Sequence, residues 1–128
     1  MPRPIGARRA AKRYGDVAAY CPEMGDVIWI DFDPQKGREQ AGRRPAMVLS
    51  RRFYNEAAQL CIACPITSRP RGYPFEVPIP PGQPVAGVVL ADQAKSTSWH
   101  ERGAAFLCAA PSAVLDEVKE RVPALLEL

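Results

Sequence analysis

Arg44 stands between Arg43 and Pro45 in the stretch EQAGRRPAMVLS, which runs from Glu39 to Ser50. A guanidinium is planar and offers five N–H donors in a fork that matches phosphate geometry. Proline pushes the residue before it out of the α region, so Arg44 is predicted to be extended at the rim of the core that Ala46, Met47, Val48 and Leu49 begin. Two readings of the arginine pair stand open: solvated charges at the end of a strand, or an anion site. Thr67, Asp92, Gln93 and Lys95 also come directly before or after an apolar run. In a small barrel such strand-end residues can converge on one rim of a rigid scaffold. An arginine and a threonine hydroxyl meeting there would bind a phosphodiester and stabilise its doubly negative transition state. Arg69, Arg71 and Lys95 read most simply as solvated charges, and Trp29 and Phe32 as core residues rather than platforms for stacked bases.

Other chemistries find little support. His100 is the sole histidine, which argues against a His-pair ribonuclease and a triad of the usual form. The acids are scattered, and no glycine-rich phosphate loop occurs. Cys61-Ile-Ala-Cys64 has C-x-x-C spacing but lacks the second pair a zinc site needs. On a strand, residues three apart face opposite sides. The four cysteines, Cys21, Cys61, Cys64 and Cys108, are therefore expected to be free, buried thiols. No metal and no cofactor are predicted.

The 128-residue chain is one domain by length, and its 47% apolar and 24% charged content is ordinary for a globular protein. Seventeen Lys and Arg against fourteen Asp and Glu leave a net charge of +3. Much of that excess lies in Arg3, Arg8, Arg9, Lys12 and Arg13, so residues 1–22 are expected to form a basic, flexible extension and 23–128 the folded domain. No run is long enough to span a membrane, and the expected location is the cytoplasm.

Strands are predicted at Val27–Phe32, from Arg44 through the apolar run, at Leu60–Ile66, around Phe75–Ile79 as an edge, and at Gly87–Ala91, with a last one at Phe106–Cys108. Phe53–Glu56 reads as a turn or short helix. Ser112 is the predicted N-cap of a final helix whose apolar face is Val114, Leu115, Val118 and Val122, with Pro123 expected to kink it. The fold class is mainly β (α+β): a small SH3-like barrel of five or more strands with a C-terminal helix.

Four segments carry a resemblance: GDVIWIDFDPQKGREQAGRRPAMVLS, CPITS, GYPFEV and GVVLADQAKSTSWHERGA. In this order and with these gaps the chain resembles the MazF/PemK family of bacterial toxins from residue 24 to about 122, closest to the MazF branch. The resemblance implies a PemK-like barrel, a homodimer, and metal-independent, sequence-specific cleavage of single-stranded mRNA. It also implies a MazE-like antitoxin with an acidic, disordered tail. Arg44 matches the family's catalytic arginine and Thr67 its catalytic threonine. The RNA's own 2′-hydroxyl would attack the adjacent phosphorus, leaving a 2′,3′-cyclic phosphate and a 5′-hydroxyl. Asp92 matches the acid–base carboxylate of the PemK branch, although Leu90 stands where that branch has an arginine, and Arg38 replaces its loop histidine. Glu39, Gln40, Gln93 and Lys95 match residues that line the RNA groove or hold its loop. With Trp29, Lys36, Arg38, Arg43 and Arg69 they make up the expected RNA-binding set. A gyrase-binding toxin like CcdB, or an inactive antitoxin-binding member, is the alternative.

Overall fold

The structure, a computed structural model, describes residues 20–32 and 42–128. Most of the expected basic extension, and Lys36, Arg38, Glu39 and Gln40, lie outside the described residues.

Seven strands follow the chain: β1 (Asp26–Phe32), β2 (Gly42–Val48), β3 (Cys61–Thr67), β4 (Glu76–Pro78), β5 (Val88–Leu90), β6 (Lys95–Thr97) and β7 (Ala105–Ala109). Helix α1 (Arg52–Ala58) links β2 to β3, a 3-10 turn (Ala91–Gln93) separates β5 from β6, and helix α2 (Ser112–Leu125) closes the chain. The strands form one antiparallel sheet in the order β4-β5-β3-β2-β1-β7, with β6 added along β3. Strands β4 and β7 end this path without pairing among the described residues, so the barrel is not closed by hydrogen bonds.

Both faces of the central strands are buried, which explains their nearly unbroken apolar runs. On one face Val27, Met47, Cys64, Ile66, Val77 and Val89 form a core with Val114 and Val118 of α2. On the other, Ile28, Ile30, Ala46, Val48, Cys61 and Ala63 pack with Cys21 and Trp99. Buried Asn55 ties that second side together. Its Nδ2 donates to the carbonyls of Pro22 (2.8 Å) and Ser50 (3.0 Å), its Oδ1 accepts from the Ser50 hydroxyl (2.6 Å), and its own carbonyl accepts from Trp99 Nε1 (3.0 Å).

Cys61 and Cys64 fall in different cores, as strand alternation requires. All four cysteines are free. Burial pushes the thiols of Cys21, Cys61 and Cys64 up from the ordinary 9.0 to about 12, and that of half-buried Cys108 in the same direction.

Several local expectations are corrected. Strand β2 opens at Gly42, so Arg44 is its third residue and not its first. Pro45 and Pro65 lie inside central strands; the β2–β3 ladder stops at the Ala46–Pro65 pair, where their missing N–H groups fall. Lys95 begins a strand that its polar flanks concealed. Pro111, without a side-chain bond, takes the N-cap place expected of Ser112. Pro123 sits in the last turn and the helix continues to Leu125; so near the end, little hydrogen bonding is left for it to break. Trp29 is 38% exposed and is no core residue.

Candidate functional site

The antiparallel ladder between β2 and β3 fixes the site. Its last pair is Ala46–Pro65, and two residues beyond that pair stand Arg44 on β2 and Thr67 on β3. Because side chains alternate, both return to the face that carries Ala46 and Ala63. Because the strands run oppositely, both stand at the same end of the sheet. Arg44 lies opposite Ile30 of β1, whose side chain is buried in the core on that face. Among the described residues no hydrogen bond or ion pair engages its guanidinium. A half-buried arginine on a rigid strand without a carboxylate partner is suited to receive an external anion.

Arg43 points to the opposite face. Its Nη1 meets Oδ1 of Asp31 at 3.1 Å, and its Nη2 donates to the carbonyl of Gly103 at 2.7 Å. Asp31 lies directly across the β1–β2 ladder from it. Arg43 thus fastens the end of β1 to the loop before β7, and both of its terminal nitrogens already make internal bonds. The two adjacent arginines have separate employments.

Thr67 is the last residue of β3. Its Oγ1 accepts a hydrogen bond from the Arg69 N–H (3.1 Å). A hydroxyl has one donor and two acceptor sites, so this bond leaves the Thr67 proton for another acceptor. Its backbone is fixed from the other edge by the Thr67–Val88 pair with β5. Just before that pair, Gly87 adopts φ +117° and lies against the Thr67 carbonyl.

The other expected residues are distributed around this pair. Lys95 is exposed and lies opposite Ala63, on the Arg44 face. Gln93 and Asp92 are exposed on the 3-10 turn along the far edge of β3. The turn that carries Asp92 packs against α2 as well as β3, and no hydrogen bond joins Asp92 to Arg44 or Thr67 among the described residues. Trp29 shares its face with Arg43, opposite Pro45 and away from Arg44. Arg69 is exposed in the loop after Thr67. Among the described residues no cluster of three or more His, Cys, Asp or Glu side chains is arranged to hold a metal ion.

Residues 23–126 match the sequence pattern of the PemK-like, MazF-like toxins of type II toxin-antitoxin systems. The chain belongs to this family. It is 56% identical over 88 residues to the endoribonuclease toxin MazF of Escherichia coli K12, a match covering 69% of this chain and 78% of that protein. It is 35% identical over 111 residues to the endoribonuclease toxin ChpB of the same organism, covering 82% and 94%. In structure it is similar to MazF from Deinococcus radiodurans, with a TM-score of 0.78 at 50% identity over 85% of this chain and 99% of the other. MazF in a MazE–MazF complex from that organism matches equally well, at 0.78 and 50%, covering 85% and 98%.

For this MazF-like toxin, sequence reasoning passed over two residues that touch Thr67 or its loop. Gly87 is one; a glycine between a proline-rich turn and an apolar run is a signal for positive φ. Glu76 is the other, the one acid in GYPFEV, directly after a basic turn.

Proposed function

We propose that this chain is the toxin of a type II toxin–antitoxin system and acts as a metal-independent, sequence-specific endoribonuclease on single-stranded mRNA. The observation that carries this reading is the pairing of Arg44, with an unengaged guanidinium, and Thr67, with an uncommitted hydroxyl proton, at one end and on one face of neighbouring strands.

The substrate's 2′-oxygen attacks the adjacent phosphorus as the bond to the 5′-oxygen breaks. The 2′-proton goes to a base, and the leaving oxygen gains a proton, giving a 2′,3′-cyclic phosphate and a 5′-hydroxyl. Negative charge builds on the nonbridging oxygens between these events. Arg44 supplies the fixed positive charge and Thr67 donates its proton as a hydrogen bond to a nonbridging oxygen. Because a guanidinium does not give up its proton in proteins, Arg44 acts as an electrostatic stabiliser and not as the base. Asp92, lying across β3 from Arg44, is poorly placed for that proton transfer without rearrangement.

A MazE-like antitoxin with an acidic tail is the partner that an exposed cationic strand end would attract, and a homodimer in the cytoplasm is the working form. No described helix is long and apolar enough to cross a membrane. A gyrase-binding role, or an inactive one, gives the unengaged Arg44 guanidinium nothing to do.

The test is incubation of the purified protein with a long single-stranded RNA in excess EDTA, beside Arg44→Ala, with the cut ends mapped. Cuts by the wild type alone at a short recurring sequence, leaving 5′-hydroxyl ends, are expected. A folded wild type that leaves several RNAs intact would overturn the proposal.

A further inference from the structure

The segment from Ser68 to Phe75 carries the chain from Thr67 to β4 without helix or strand, yet three of its N–H groups, those of Arg69, Arg71 and Gly72, are held by side chains. The Arg69 N–H donates to Thr67 Oγ1 (3.1 Å). The Arg71 N–H is shared between both carboxylate oxygens of Glu76, at 3.0 and 3.2 Å, and the Gly72 N–H donates to Glu76 Oε1 at 3.0 Å. Gly72 adopts φ +82° with open space around it. That left-handed conformation lets two successive N–H groups converge on one anion. Glu76 is itself anchored: it opens β4 opposite Leu90, and its N–H donates to the Tyr73 carbonyl at 3.1 Å.

We propose that Glu76 is a positioning residue for Thr67: its carboxylate draws the Arg71 and Gly72 amides into a fixed turn, and that turn sets the Arg69 N–H that orients the Thr67 hydroxyl. The proposal rests on the endoribonuclease reading above. An ionised acceptor makes the clamp stronger than a neutral one. With one acceptor site of Thr67 occupied by Arg69, the hydroxyl proton is directed away from its own loop before substrate arrives, which lowers the reorganisation left for the transition state.

The test uses the full chain and four forms: wild type, Glu76→Gln, Thr67→Val and the double variant. Glutamine keeps the size of Glu76 and one acceptor oxygen but removes the charge and the second acceptor. Single-turnover cleavage of an RNA is expected to fall roughly tenfold or more in Glu76→Gln, the scale of a lost charged hydrogen bond. Binding of the same sequence with a 2′-deoxy sugar at the cut is expected to stay within about twofold. In the Thr67→Val background Glu76→Gln should have no further effect, since a residue acting through Thr67 has nothing left to position. Hydrogen exchange at the Arg69 amide should speed up in Glu76→Gln. An equal loss in both backgrounds, or unchanged Arg69 exchange, overturns the proposal. Should Glu76→Gln fail to fold, Glu76→Asp, which keeps the charge on a shorter stem, takes its place under the same criteria. A wild type that cuts no RNA removes the endoribonuclease reading and the proposal with it; a wild type that cuts, with equal losses in both backgrounds, removes the proposal alone.

Discussion

A Cβ on Gly87 would stand 2.0 Å from the carbonyl oxygen of Thr67 and 2.8 Å from its carbonyl carbon. Both atoms belong to backbone, so no side chain can swing aside to make room. Gly87→Ala is therefore expected to push Thr67 out of place as well as strain its own φ of +117°. Displacing a reacting group by about 1 Å costs on the order of 10²-fold in rate. The check is RNA cleavage by the folded variant: activity near that of the wild type would show that Thr67 does not need its present position.

The two adjacent arginines should separate in experiment. Arg44→Ala is expected to lower cleavage by roughly 10²-fold or more, the loss for one transition-state donor, with little change in thermal midpoint because Arg44 makes no internal bond. Arg43→Ala removes an exposed ion pair and a bond to the Gly103 carbonyl, and about 1 kcal/mol of stability should go with them. Salt titration of binding to an uncleavable 2′-deoxy strand gives a second readout. Loss of a phosphate contact lowers the slope by about 1, so the slope should drop for Arg44→Ala and hold for Arg43→Ala. The reverse result would make Arg43 the phosphate ligand.

The thiols predict an alkaline limit to stability. Cys21, Cys61 and Cys64 are raised by burial to about 12 in the folded chain, against the ordinary 9.0 when unfolded. For a raised acid the unfolded state loses its protons first, so the contribution is whole below pH 9 and is lost as pH rises from 9 through 12. Denaturant midpoints should fall across that window. Replacing Cys61 by alanine or serine should flatten part of the fall, whatever it does to stability at neutral pH. Alkylation of the native protein at pH 8 should reach Cys108 first, since it is the least buried of the four.

Asn55 should matter for folding and not for chemistry. Asn55→Ala leaves the Pro22 and Ser50 carbonyls without the Nδ2 donor. A cost of about 2–3 kcal/mol is expected, read as a lower denaturant midpoint with unchanged cleavage per folded molecule. A drop in cleavage without a drop in stability would contradict this division.

Strands whose residues are buried on both faces were the easiest to read, because Val27–Phe32 and Cys61–Ile66 are long, apolar and rich in β-formers. The short ones were harder. Lys95-Ser96-Thr97 has no apolar period, and it becomes a strand only because the outer edge of β3 is open to it beside Ala63. Pro45 marked Arg44 as extended but not as internal to the strand, since the pairing of Phe32 with Gly42 that lengthens β2 is a tertiary fact. Arg44 and Thr67 were visible as types at strand ends. Their placement at one end and on one face depends on the β2–β3 register, which no local pattern states. Glu76 and Gly87 are hard to read for a related reason: each meets a backbone group of a residue several positions away in the chain or across the ladder, and residue type marks the glycine and the acid but not the group they meet.

Antiparallel alternation gives β2 a parity. Arg43 braces one side of the sheet and Arg44 faces the other because Arg43 is an even step and Arg44 an odd step from the buried Met47. Inserting or deleting a single residue between Arg44 and Met47 would exchange their faces, turning the brace toward the candidate site and the free guanidinium away from it. A change in chain length there keeps the two faces assigned as they are only if it comes in twos. Within this strand the counting of residues is itself part of what sets the candidate site.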